Sequence, residues 1–215
     1  MLFSRFAGVG VSLAGSLISG LLLANSALLV VTAADSETTI LVSDARPNFQ
    51  LPFQCGQQWR LDSYSKEHAP ALDMVREPDQ QGTEGSLVVA SASGTVKLSF
   101  YHENTPGAND GAGNVIQIDH GGGWFTTYLH LQSRSVQAGQ KVAQGQEIGH
   151  VGKTGKTSNG TPHLHFEQAF SKNGSGTATW GEPKSDRVPA VFDGVNYGQD
   201  SKTWRNVTSH NSCKQ

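Results

Sequence analysis

The sequence carries little charge, few cysteines and no sustained helical pattern. Charged residues make up 16% of the 215, and 16 Lys and Arg against 18 Asp and Glu leave a net charge of −2. With neither a basic excess nor a basic stripe, the electrostatic footprint of a nucleic-acid binder is absent. The two cysteines, Cys55 and Cys213, stand far apart. That excludes the short C-x-x-C pair of structural zinc sites. Beyond the N-terminal segment no stretch repeats apolar residues at helical spacing, which argues against a helical bundle. The H-E-x-x-H motif is missing as well, and with it the glutamate base of helical zinc sites.

The N-terminal segment is unlike the rest. Arg5 is the only charge before Asp35, and Leu17 to Val31 is mostly Leu, Val, Ile and Ala. A basic start, an apolar run and the small-residue site Val31-Thr32-Ala33 fit a secretory signal over residues 1–33. The uncharged run from Phe6 to Ala34 also exceeds the roughly 20 residues that span a bilayer. An uncleaved membrane anchor is therefore the alternative. On either reading the remainder leaves the cytoplasm, for a secreted, periplasmic or cell-envelope location. In such an oxidising compartment Cys55 and Cys213 are expected to pair. Residues 34–51 read as a linker or N-terminal arm, and 52–215 as one domain with a loop-rich C-terminal extension.

That domain reads as all-β. Thr95 to Tyr101 alternates Val96, Leu98 and Phe100 with polar partners, and Asn114 to His120 sets Ile116 and Ile118 against Val115, Gln117 and Asp119. Gly121-Gly122-Gly123 turns the chain toward Trp124 to Leu131, a hairpin partner. Pro106 to Gly111 marks a loop. An internal rhyme follows: Val136-Gln137-Ala138-Gly139-Gln140, then Val142-Ala143-Gln144-Gly145-Gln146. Each half is an apolar residue leading into a Gly-bearing turn, as in compact β-sandwiches and barrels.

Eight histidines are present, and spacing distinguishes some of them. His163-Leu164-His165 sits on strand-like sequence, where residues two apart share a face. Two imidazoles then project together while Leu164 and Phe166 turn to the core. Such a pair suits zinc chemistry, although a polar sheet face explains it equally well. His68 and Asp73 flank a proline, so a tight turn can bring an imidazole and a carboxylate to one ion. His130, in Tyr128-Leu129-His130-Leu131, shares its face with Tyr128 under strict alternation, and a packed core histidine is its simplest reading. His120 reads as structural. His102, His150 and His210 fall in loop or turn-rich sequence and are expected to be exposed. Glu167 is equally a partner that orients a histidine or a solvated carboxylate.

Taken together, His68 and Asp73, then Tyr128-Leu129-His130-Leu131, then Gly152-Lys153-Thr154-Gly155 leading to His163-Leu164-His165-Phe166-Glu167, resemble the lysostaphin-type zinc endopeptidases of metallopeptidase family twenty-three. The resemblance covers roughly His68 to Glu167. It implies an antiparallel β-sheet or sandwich domain, of the duplicated-hybrid-motif kind, with the site in a groove on one sheet. It implies His68, Asp73 and His165 as ligands of one Zn2+, with His130 and His163 as catalytic histidines. The expected substrate is bacterial peptidoglycan or a glycine-rich peptide, cut by a monomer that binds no nucleic acid and meets a membrane only through an uncleaved N-terminus. Tyr64 or Tyr128 could hydrogen-bond an oxyanion, though packing is the simpler role for each. The loop His102 to Gly113 and the tail after Phe170 depart from the family pattern, which leaves the groove walls open.

Two other readings fit parts of the sequence. An inactive peptidoglycan-binding or hydrolase-activating protein of the same fold usually lacks one or more ligands, and here all five positions are filled. A biotin- or lipoyl-carrier domain shares the Gly-bearing repeat but needs a modified lysine at a hairpin tip, which has no counterpart here.

Overall fold

The computed structural model describes residues 45–172, 176–182 and 184–214; the segment expected to be a signal or an anchor, residues 1–33, lies outside them. Fourteen strands form: β1 (Gln58–Asp62), β2 (Leu72–Arg76), β3 (Leu87–Val89), β4 (Gly94–His102), β5 (Gly113–Asp119), β6 (Trp124–Leu131), β7 (Ser133–Arg134), β8 (Lys141–Val142), β9 (Glu147–His150), β10 (Leu164–Phe170), β11 (Arg187–Val188), β12 (Val191–Phe192), β13 (Val195–Asn196) and β14 (Thr203–Thr208). Helical structure among the described residues is limited to one 3-10 turn, Lys156–Ser158. The fold is all-β and antiparallel, as the alternation in the sequence predicts.

The large sheet runs β14-β1-β2-β10-β6-β5-β4-β8, with β11 added beside β10. A smaller sheet, β3-β9-β7, covers one of its faces. Between them lies the main core, built from Trp59, Leu61, Leu72, Met74, Ile116, Ile118, Tyr128, Leu164 and Phe166 of the large sheet and Val88 and Ile148 of the small one. Burial of such side chains contributes roughly 1.5–3 kcal/mol each. Phe49 and Leu51 of the N-terminal arm are buried in this core, and just past the arm Phe53 stacks on Trp59 with ring centroids 3.4 Å apart.

The sequence rhyme is a repeated turn. Gln140 Oε1 accepts from Gln137 N–H at 3.3 Å, and Gln146 Oε1 accepts from Ala143 N–H at 3.1 Å. Gly139 N–H donates to Val96 O and Gly145 N–H to Ala90 O, while Val96 N–H and Ala90 N–H return bonds to Gln140 O and Gln146 O. Gly139 and Gly145 have φ of 88° and 76°, a region that side chains rarely adopt. Each turn thus clips onto a neighbouring segment by the same bonds, and each leading valine, Val136 or Val142, is buried.

Alternation fails at two β-bulges. Between Val96 and Leu98 the register of β4 on β5 shifts, so Val96 enters the main core while Phe100 packs with Val115 on the opposite face. The second bulge sits at His130 and shapes the site. The hairpin at Gly121 to Gly123 forms between β5 and β6 as expected, and Cys55 and Cys213 are joined by a disulfide.

Candidate functional site

Strands β2 and β10 lie side by side, and their registered pair His165↔Asp73 sits at the centre of the site. On each strand the neighbours point inward: Leu72 and Met74 on β2, Leu164 and Phe166 on β10, all in the main core. A strand's two-residue period therefore turns Asp73, His165 and Glu167 to the opposite face. His163, just before β10, stands two residues from His165 and lines the same groove.

His68 arrives from the turn that precedes β2. Its Nε2 lies 3.1 Å from Asp73 Oδ1 and 3.3 Å from His165 Nδ1, and His165 Nδ1 lies 3.0 Å from the same Oδ1. Three donor atoms from three residues thus form a small triangle, a grouping able to hold a metal ion. Ligands about 2.0–2.2 Å from a tetrahedral zinc stand roughly 3.3–3.5 Å apart. The observed edges approach that spacing, and two imidazoles with one carboxylate are a donor set zinc accepts. The residues present fit the ion.

Charge couples the same groups. Burial disfavours the Asp73 anion, but hydrogen bonds to His165 and His68 override it and hold the carboxyl well below the usual carboxylate range. Burial likewise opposes the His165 cation, yet bonds to Asp73 and Glu167 raise its pKa to about 9. Each group favours its charged form because the other is there. Glu167 is fully buried, with Oε1 at 2.9 Å from His165 Nε2. With Nε2–H held by that carboxylate, Nδ1 is the atom that would turn to a metal ion once its own proton is displaced, the arrangement that orients metal-binding imidazoles. Of the two readings open for Glu167, the partner role is the one realised.

His130 and His163 flank the triangle. The His163 Nδ1–H donates to Thr161 O at 2.9 Å, and Nε2 lies 3.6 Å from Asp73 Oδ1. The His130 Nδ1–H is shared between Ala112 O at 3.1 Å and Thr154 O at 3.0 Å. In each ring Nδ1 is engaged by a carbonyl, and Nε2 is left for another partner. Their centroids are 4.9 Å apart. Burial first, then the neighbouring His165 and His163, pull the His130 pKa down to about 3.

His130 does not share a face with Tyr128, contrary to the alternation. Its φ is +62°, and the register of β5 on β6 shifts there. The left-handed kink turns the imidazole to the groove while Tyr128 stays in the core, its hydroxyl oxygen accepting from Ser91 N–H and Thr126 Oγ1–H. Tyr128 is therefore remote from the triangle, whereas Tyr64 is half-exposed and meets the His68 ring edge-on at 5.8 Å. The Thr-Gly loop supports the kink. Thr154 Oγ1 donates to Leu131 O and accepts from Asn114 N–H. Gly113 and Gly155, with φ of +69° and +78°, let the two backbones touch, since a Cβ on either would overlap the facing chain.

A groove of about 690 Å3 runs past these residues. Its walls come from the segments that depart from the family pattern: Asn109 and Asp110 on one side, Thr179 to Glu182 on another. His102 lines the groove too, its ring edge-to-face with Trp180 at 5.2 Å between centroids, so it is not a free loop histidine. His150 is half-buried beside Ser133, whereas His210 is exposed. His120 is packed, bridging Ser93 O and Thr126. Sequence reasoning missed Trp180 and Arg187. Both stand in loop-rich sequence without periodicity, and no pattern marks them.

Residues 78–178 match the family described as Peptidase family M23. The peptidoglycan DD-endopeptidase ShyC of Vibrio cholerae is 39% identical over 99 residues, which cover 46% of this chain and 20% of that one. ShyA, a peptidoglycan DD-endopeptidase of the same organism, is 41% identical over 115 residues, 51% of this chain and 25% of that one. The chain thus spans a quarter or less of the length of these relatives. Among solved structures, the catalytic domain of lysostaphin from Staphylococcus simulans covers 57% of this chain and 77% of that one at 26% identity, with a TM-score of 0.38, a likeness too partial to add to the fold. The matched segment holds His130, His163 and His165 with their Thr-Gly loop, and over residues 78–178 this chain is similar to peptidase family M23.

Proposed function

We propose that this chain is a zinc-dependent endopeptidase of the bacterial cell envelope that hydrolyses peptide cross-links or stem peptides of peptidoglycan. The observation that carries the reading is the triangle of His68 Nε2, Asp73 Oδ1 and His165 Nδ1, with edges of 3.0 to 3.3 Å, beside two further imidazoles. The family match over residues 78–178 and relatives named peptidoglycan DD-endopeptidases support the substrate class.

In this reading His68, Asp73 and His165 hold one Zn2+, which supplies Lewis acidity toward a peptide carbonyl and toward water. The protein's part is positioning and proton transfer. His163, with Nε2 3.6 Å from Asp73 Oδ1, takes the proton of the attacking water and delivers it to the leaving amine. His130, fixed through Nδ1 and kept neutral by burial, accepts a hydrogen bond at Nε2 and orients that water. The groove beside them admits an extended peptide. The N-terminal segment, as a signal or an anchor, delivers the domain outside the cytoplasm.

The test joins metal analysis of the purified protein to mass spectrometry of fragments released from defined peptidoglycan peptides. One zinc per chain, and fragments ending at a single class of peptide bond, are expected. Protein that holds zinc and binds the wall without releasing fragments is instead a binder of the same fold.

A further inference from the structure

Among the groove residues outside the proposed ligand and catalytic set, Arg187 has the widest reach. It lies on β11, beyond the matched segment, and its side chain is 3% exposed. One guanidinium nitrogen, Nη2, donates to Glu167 Oε1 at 2.6 Å and to Gly181 O at 2.5 Å. The other, Nη1, donates to His68 O at 3.1 Å. Glu167 in turn accepts from His165 Nε2 and from Gly181 N–H at 3.1 Å. The buried ion pair therefore touches the backbones or rings of two residues in the metal triangle and both main-chain groups of Gly181.

Gly181 follows Trp180, whose ring meets Phe100 at 6.0 Å and His102 at 5.2 Å to form the aromatic wall of the groove. His68 needs outside support. Its Nδ1 is buried and has no hydrogen-bond partner among the described residues, so its ring lacks the carboxylate that orients His165. Its main-chain carbonyl accepts from Arg187 Nη1, one of the bonds that hold the turn, beside those from Lys184 Nζ to Lys66 O and Glu67 O. A planar fork with five donors is suited to serve three acceptors at once, and a lysine ammonium is not.

We infer that Arg187, acting through Glu167 and directly on His68, is a positioning residue that fixes the metal-binding triangle and the Trp180 wall as one rigid unit. The wall is the substrate-facing part of that unit, so metal affinity and substrate fit depend on the same buried pair. This rests on the proposed zinc site, and the readouts below separate the two.

Arg187→Lys keeps the charge and removes the fork. The zinc dissociation constant, measured by chelator competition, should rise about 10–100-fold, the usual effect of losing a partner behind the ligands. In the metal-free protein, amide exchange of residues 178–182 and 66–69 should speed up together. At saturating zinc, KM should rise along with a fall in kcat, whereas Trp180→Ala should raise KM and leave zinc affinity unchanged. If Arg187→Lys does not fold, Glu167→Gln with Arg187→Met removes both charges and should give the same loosened exchange and weakened zinc binding. Unchanged exchange and zinc affinity in whichever variant folds would overturn the inference. Failure of the zinc reading itself shows differently: the wild-type protein would then hold no zinc, whatever Arg187 does to exchange.

Discussion

The segment that matches the peptidase family and its flanks contribute unlike things to one site. Residues 78–178 supply His130, His163 and His165, together with the glycine contacts that kink β6. The flanks supply His68 and Asp73 from the N-terminal side, and Trp180 and Arg187 from the C-terminal side. The groups assigned to proton handling are thus all internal, whereas two of the three proposed metal donors and the Trp180 side of the groove wall are brought in from outside. β2 and β11 reach the site because both pair with β10, one near its start and the other near its end. The comparison teaches that β10 is the seam on which both contributions meet.

The sharpest test sets a flank residue against an internal one. Asp73→Ala should lose zinc and turnover together, with activity down at least about 10³-fold, because removing a carboxylate ligand empties the site. His163→Ala should keep one zinc per chain and lose on the order of 10²–10⁴-fold in kcat, the range of a positioned proton carrier. Stoichiometric zinc in the first variant, or near wild-type rates in the second, would erase the division of labour. Next comes the internal support of His130. Gly155→Ala forces a side chain into a left-handed conformation against the facing backbone and should cost about 2–4 kcal/mol. Denaturant unfolding measures the loss, and kcat should fall with it as Thr154 O moves.

The flanks are tied by the disulfide, so Cys55→Ser should lower stability by about 2–4 kcal/mol. A variant that melts with the wild type would show that strand pairing of β1 with β14 holds the ends unaided. The smallest effect lies in the internal segment. Burial pulls the His120 pKa down from 6.5 to about 4. The unfolded chain therefore takes up a proton first on acidification, and the stability present above pH 6.5 is lost as pH falls toward 4. His120→Gln should flatten that slope by on the order of 1–3 kcal/mol across the interval, read from unfolding free energies at pH 7 and pH 4.5.

Much of this is legible in the sequence. The period-two spacing of His163 and His165 states their shared face, and the Leu164 and Phe166 between and after them state the other. The rhyme at Gly139 and Gly145 foretold a repeated turn, since glycine at matching positions marks a matching backbone. His68 and Asp73 were weaker, a pair that gains meaning only once His165 stands beside it. The assignment of Tyr128 and His130 to one face failed because alternation presumes a regular strand. A left-handed residue reverses the sides, and His130 carries no local mark of it. The same reasoning misplaced Leu98 and Phe100 relative to Val96. Arg187 and Trp180 stayed hidden because their roles depend on long-range pairing with β10 and on the path of a loop.

The covalent link between Cys55 and Cys213 encloses both groove walls within one ring of chain. A single proteolytic nick at the 102–112 or 176–186 segment would open that ring without freeing either piece. Such a molecule would migrate as an intact chain until reduced, and its severed ends would stay close to where they were cut. Surface damage of this kind need not mean dispersal.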